Sequence, residues 1–459
     1  MAIRKPSFLI SVLLTVLVAG ILGVSILYYQ VAPQIPIVIA AMAVALYGFL
    51  LGHKWKDIEN SMVKSIAAGL PSVLILCMIG ILVGIWVLNG TVPTMSYYGL
   101  QLLSPRFFLV SAVLICAVAS IVTGSSWSAI STMGVALMGV AYGMDISPAM
   151  AAGAIVSGAI FGDKVSPLSD TTNLASATAK VDIFEHIRHM MWTAVPSMLA
   201  TLVIFLFIGF NSDFVSTDLS QIDELSQTLK EQFNLTPLTL LSPLVIIVLA
   251  LRKTASLPTL TLSLFVAVLT TFYTSPGTSF GEIMNTAYAG YTAETGVESI
   301  DSLLSIGGLS GMMFGVSIIL VALALGGIVQ QVGIAQALIE GVAGFLHRKG
   351  NVILTTVLSC MGVNAIIGEQ YLSIVLPGQM LESAYGKANL HPKNLSRTLE
   401  DAGTIFHAAV PWGITGAFIM STLNIGMEYA LFAFICFINP VIAVLYGYTG
   451  FTLVKLDKK

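Results

Sequence analysis

From Ser7 to Tyr29 no residue is charged, and the same holds for 257–274, 302–330 and 351–367. The hydrocarbon core of a bilayer is crossed by ~20 mostly apolar residues, and inside it each backbone N–H and C=O needs a partner within the segment. Repeated runs of that length leave one solution, a bundle of membrane-spanning helices. Composition agrees: 56% of the 459 residues are hydrophobic and 9% charged, where a soluble domain carries ~25% charged. The run 7–29, behind Arg4 and Lys5, exceeds a signal-peptide core of ~7–15 residues and shows no cleavage motif, so it is expected to be the first membrane helix. The four cysteines (Cys77, Cys116, Cys360, Cys436) lie in apolar runs without CxxC spacing and read as small buried hydrophobes.

Further apolar runs are expected as spans near 32–52, 62–88, 106–122, 189–211, 238–251 and 429–451. Segments richer in Gly, Ser and Pro at 125–143, 148–180, 369–385 and 397–424 either cross or re-enter, which gives ten to fourteen membrane segments. The basic residues Arg4, Lys5, Lys54, Lys56 and Lys64, then Arg252 and Lys253, His347-Arg348-Lys349, Lys387, Lys393, Arg397, Lys455, Lys458 and Lys459 read as cytoplasmic. The loops at 211–236 (Asp213, Asp218, Asp223, Glu224, Glu231) and 275–301 (Glu282, Glu294, Glu298, Asp301) are acidic and read as outside.

A shift of 244 positions aligns Gly124 with Gly368, Gly134 with Gly378, Pro148 with Pro392, Pro167 with Pro411, Thr171 with Thr415 and Pro196 with Pro440. The two halves begin on opposite sides, so the repeat is expected to be inverted, the arrangement that places discontinuous helices near the midplane of secondary transporters. The expectation is an all-α polytopic membrane protein of two inverted repeats, 1–211 and 238–459, with an extracytoplasmic linker at 212–237. Broken helices or re-entrant hairpins from the two repeats would meet near the bilayer midplane.

The stretch 161–175 holds Asp163, Lys164 and Asp170 among hydroxyls between apolar segments. A charge at the bilayer centre costs at least ~2.5 kcal/mol, so each requires a partner or a purpose. Pro167 removes a backbone donor and breaks a helix. The functional reading is a cation site: Asp163 and Asp170 with oxygens of Ser166, Thr171, Thr172 and Asn173, Na+ held by Asp163, Asp170, Thr171 and Asn173, and Lys164 neutralising a carboxylate when the cation is away. The plainer reading is a structural pair of Lys164 with Asp163 or Asp170. Ser125 and Ser126 cap a helix after Gly124, and its N-terminus either faces a substrate or is an ordinary cap. In the second half Glu369 and Gln370 follow Gly368; Glu369 is an intramembrane carboxylate or an interfacial one. Asp401, Thr404 and His407 complete the candidates: Asp401 binds an ion or proton or pairs with Arg397, and His407 handles protons or is a bonded core group.

The run Gly162-Asp163-Lys164-Val165-Ser166-Pro167-Leu168-Ser169-Asp170-Thr171-Thr172-Asn173-Leu174-Ala175, with Gly124-Ser-Ser-Trp127 and Gly368-Glu369-Gln370, resembles the NhaC family of bacterial antiporters within the ion-transporter superfamily. The resemblance covers nearly the whole chain. It implies a secondary antiporter exchanging Na+ for H+, or a relative coupling Na+ and H+ to a small organic acid of the malate/lactate type or an amino acid. It further implies paired hairpins and broken helices, a scaffold separate from a moving unit, often a homodimer, and residence in the bacterial inner membrane, where the basic residues above place both termini in the cytoplasm. No resident cofactor is expected. No Walker motif, Cys/His metal cluster or nucleic-acid patch occurs, which argues against an ATP-driven pump and a soluble catalytic domain. A membrane hydrolase or a channel is the outside alternative: Ser166 near Asp163 is a weak nucleophile–base match, and a channel needs no inverted repeat.

Overall fold

The computed structural model describes residues 4–211, 219–252, 254–296, 301, 304–341 and 348–456. Of the charges used for orientation, Asp213, Asp218, Lys253, Glu298, His347, Lys458 and Lys459 lie outside the described residues. Among the described residues the fold is helical without a strand; one bridge joins Leu390 to Lys455. Seven helices are long and apolar enough to cross a membrane, nine if two bent pairs each count as one span. Gln34–Leu50 and Ile435–Thr449 are apolar but shorter. Large apolar side chains such as Leu9, Phe207 and Phe265 stand exposed on the outer faces, as lipid contact requires.

Two stretches read as acidic loops contain helices, Leu219–Gln232 and Phe280–Ala289. The second starts at a capping box: Ser279 accepts from the Glu282 N–H, and Glu282 accepts from that of Ser279. The box was written in the sequence as Ser279-Phe-Gly-Glu282, but the acidic residues around it masked the signal.

Four elements position the site. The first hairpin is Pro105–Thr123 followed by 126–143, the second Lys349–Ile367 followed by Gln370–Lys387. Each turns at a glycine in the left-handed region, Gly124 at φ 66° and Gly368 at φ 72°, a conformation costing other residues ~1–2 kcal/mol. The first broken helix is Pro148–Val165 and Asp170–Thr178; the second is Pro392–Ala409 and Ile414–Leu423, bent by 46°. Each break precedes a proline. The residue before proline is driven out of the helical region, and Ser166 (ψ 128°) and Val410 (ψ 95°) are both extended.

The 244-residue offset recurs in the backbone. Helix starts at Ser126, Pro148 and Asp170 match those at Gln370, Pro392 and Ile414. The left-handed residues Asp145 and Lys180 match Asn389 and Asn424. The first broken helix lies close against the first hairpin because Gly158 and Gly162 face it; a Cβ there would sit 2.1 Å from the Val113 carbonyl and 2.3 Å from that of Ala117. Trp127, just past the first hairpin tip, stacks on Phe418 of the second broken helix with ring centroids 4.0 Å apart.

Candidate functional site

The tips and breaks, together with residues from 72–79 and 246–260, line a cavity of about 610 Å³. Ser126, Asp163, Asp170, Thr171, Glu369 and Thr415 contribute to its wall, which among the described residues includes no lysine, arginine or histidine. Three carboxylates therefore face one space without a cation among them.

Two of these carboxylates sit on helix N-termini. Asp163 Oδ2 accepts from Ser126 N–H at 3.1 Å and from its hydroxyl at 2.6 Å. Glu369 accepts from the N–H groups of Tyr371 at 3.0 Å and Leu372 at 2.7 Å. Helix N-termini stabilise negative charge, so these contacts hold both side chains in place. At the first tip the Ser126 N–H is thus engaged by Asp163. Ser125 caps the same helix, its Oγ accepting from Ser128 N–H at 3.3 Å. Asp170 is exposed to the cavity at the first residue of its helix.

The other residues of the 161–175 stretch divide. Thr171, hydroxyl to hydroxyl with Ser169 at 3.0 Å, Asn173 and Gln370 line the cavity. Asn173 is also a brace, its amide donating to the carbonyls of Pro167 at 3.0 Å and Ser169 at 2.7 Å. Ser166 is a buried strut that donates to the Ile121 carbonyl at 2.9 Å and is not on the cavity wall. Thr172 and Lys164 face the other way, into the protein.

There they meet the second broken helix. Lys164 Nζ lies 2.5 Å from Asp401 Oδ1, and Arg397 Nε lies 3.9 Å from Asp401 Oδ2. The structural partner of Lys164 is thus Asp401, 237 positions away, and neither Asp163 nor Asp170 as the local reading had it. Asp401 Oδ1 also accepts from Thr193 at 2.7 Å and Asn439 at 2.8 Å. The Thr172 hydroxyl donates to the Lys164 carbonyl at 2.9 Å and lies 3.2 Å from Glu400 Oε1. Lys164, Arg397, Glu400 and Asp401 are each at most 1% exposed. Asp401 is therefore not brought to the cavity carboxylates, and neither are Thr404 and His407. Thr404 donates to the Glu400 carbonyl at 2.8 Å, and the His407 ring nitrogen Nδ1 contacts the Thr404 carbonyl.

Glu400, Thr193 and Asn439 escaped the sequence reading. Glu400 carried the faint signal of a carboxylate next to Asp401 between apolar runs; a threonine and an asparagine inside long helices carried none. The backbone here is also unusual: Glu400–Thr404 forms a π-helical turn, a feature that gathers at functional sites. Its Gly403 carbonyl is held by Asn364 at 2.8 Å and Ser373 at 3.0 Å, both from the second hairpin.

Comparison with known proteins identifies the family. The profile of the Na+/H+ antiporter family matches residues 3–172 and 158–451. The chain is 42% identical to the Na(+)/H(+) antiporter NhaC of Alkalihalophilus pseudofirmus, over 97% of this chain and 96% of that protein. It is 39% identical to the Na(+)/H(+) antiporter NhaC of Bacillus subtilis, over 97% and 98%. It is also 32% identical to the malate-2H(+)/Na(+)-lactate antiporter of Bacillus subtilis, over 98% and 96%. Matches of this identity and extent assign the chain to a family: it belongs to the Na+/H+ antiporter family.

Proposed function

We propose that the chain exchanges Na+ for H+ by alternating access, with Asp163, Asp170 and Glu369 as the groups that the two ions occupy in turn. The observation that carries this reading is the charge of the cavity: three carboxylates and no cation on its described wall. Carboxylates that share one cavity with no cationic side chain beside them attract a counter-ion, and Na+ or protons can serve as one. Na+ takes oxygen ligands, and Thr171 and Asn173 stand beside the acids. Competition between the two occupants couples their fluxes. We further propose that 1–211 and 238–459 are inverted copies joined by an external linker at 212–237, that both termini are cytoplasmic in a bacterial inner membrane, and that the protein is a homodimer. The shared register of breaks and tips supports the first of these.

The test is a pH gradient in inverted vesicles followed with a quenched dye. Added Na+ should dissipate the gradient with wild-type protein and not with Asp163→Asn. Equal dissipation by both proteins rules out the assignment of Asp163.

One observation favours a second reading. A cavity of about 610 Å³ falls in the ~300–1,000 Å³ range of small-molecule sites and far exceeds a bare cation. A small carboxylate or amino acid could therefore travel with the ions, as the name of the malate-2H(+)/Na(+)-lactate relative describes for that protein. With both hairpin N-termini already held by carboxylates, an organic anion would have to bind through Na+ or hydroxyls. Uptake of labelled lactate, malate and amino acids, with and without Na+, separates the two readings.

A further inference from the structure

Asp163 and Lys164 are neighbours with opposite destinations: one faces the cavity, the other a closed cluster of two cations and two carboxylates (Lys164 and Arg397, Glu400 and Asp401). With all four groups ionised the cluster sums to zero. Asp401 Oδ1 receives three donors, from Lys164, Thr193 and Asn439, its Oδ2 lies 3.9 Å from Arg397 Nε without a hydrogen bond, and the residue is off the cavity wall, which keeps it from an ion held there. The pair also spans the halves, joining the last turn of Pro148–Val165 to the π-helical turn of the second broken helix. On the cavity reading above, we infer that Lys164 and Asp401 are positioning residues. They form a neutral internal clamp that fixes the turn carrying Asp163 and leaves the cavity carboxylates uncompensated. Neither binds the transported ion.

This assignment has a signature that neither an ion ligand nor a plain structural contact shares. Asp401→Asn leaves two cations against one carboxylate beside the cavity, which repels Na+. Lys164→Gln leaves one cation against two carboxylates, which attracts it. The double variant restores the net balance, one cation (Arg397) against one carboxylate (Glu400), and replaces the ion pair by two amides able to hydrogen-bond, an exchange that buried pairs tolerate.

The experiment measures Na+-driven exchange by the full chain in proteoliposomes, alongside the fraction of folded protein. Expected are an apparent Na+ KM raised about threefold or more in Asp401→Asn, lowered by a similar factor in Lys164→Gln, and returned to within about threefold of wild type in the double variant. Equal KM in all three with altered yield alone, shifts of the same sign, or a folded double variant without exchange would each overturn the inference. Should the single variants not fold, the double variant decides alone. Should it fail as well, Lys164→Arg, which keeps the charge, must retain the wild-type KM, and a larger change overturns the clamp. Asp163→Asn in the same assay separates the two levels: if its Na+ KM is unchanged, the cavity reading fails whatever the charge cycle gives.

Discussion

The two broken helices share a backbone plan and differ in almost everything attached to it. Both start at a proline, both break before a second proline, and both resume four residues after an extended one, at Asp170 and Ile414. At the 244-residue offset, however, Asp163 falls opposite His407, Asp401 opposite Ser157 and Glu400 opposite Val156. The first break turns its acids toward the cavity. The second winds into a π-helical turn and turns its acids inward, Asp401 onto Lys164 and Arg397 and Glu400 toward the Thr172 hydroxyl. A repeated fold thus supplies two equivalent breaks, while side-chain chemistry turns one toward the cavity and the other into a buried cluster of opposite charges.

Single-charge removal should separate the two breaks most sharply. Asp401→Asn should destabilise the protein by about 3–5 kcal/mol, the cost of stranding a buried charge, and thermal unfolding reads it directly. Asp163→Asn should leave stability near wild type yet cut exchange by about 10- to 100-fold, one charged contact of ~1.5–3 kcal/mol being lost to the ion. If instead the cavity variant unfolds and the core variant does not, the contrast drawn here is wrong. A smaller effect probes the tips. Gly124→Ala meets both the left-handed penalty of ~1–2 kcal/mol and a Cβ placed 2.5 Å from that of Leu168, whereas Gly368→Ala meets its nearest atom at 3.0 Å. The first should lower the unfolding temperature more than the second; the reverse order would break the assignment of the tighter packing to the first tip. Thr172→Val, which removes the hydroxyl between the Lys164 carbonyl and Glu400, should cost about 1 kcal/mol.

The smallest effect lies outside both breaks and serves as their reference. Asp301 accepts from the Thr295 hydroxyl at 2.7 Å and N–H at 2.6 Å and from Gly296 N–H at 3.2 Å, and these bonds hold its carboxyl below the ordinary range. A lowered folded value stabilises the fold above the unfolded carboxylate value of ~3.9, and that contribution disappears as pH falls through the folded value. Asp301→Asn should therefore flatten the acid limb of thermal stability below about pH 4 and leave exchange untouched. A change in transport would show that this loop communicates with the breaks.

Sequence alone determined the membrane class, since apolar runs of bilayer length admit helices and little else. It marked both breaks and the paired glycines Gly124 and Gly368, because an extended residue before proline and glycine at positive φ act on the local backbone and need no tertiary partner, while it left open whether the segments after those glycines cross or re-enter. Asp163, Asp170 and Glu369 were legible as candidates for the same local reason, being charges where charge is costly. What the tertiary structure decided is which way each charge faces. Lys164 looked free to neutralise Asp163, yet packing of the halves turns it to Asp401, and that packing also exposed Glu400, Thr193 and Asn439 as members of one cluster. Breaks follow from neighbours along the chain; pairings of buried charges follow from distances across it, and a single sequence carries the first kind of information far more plainly than the second.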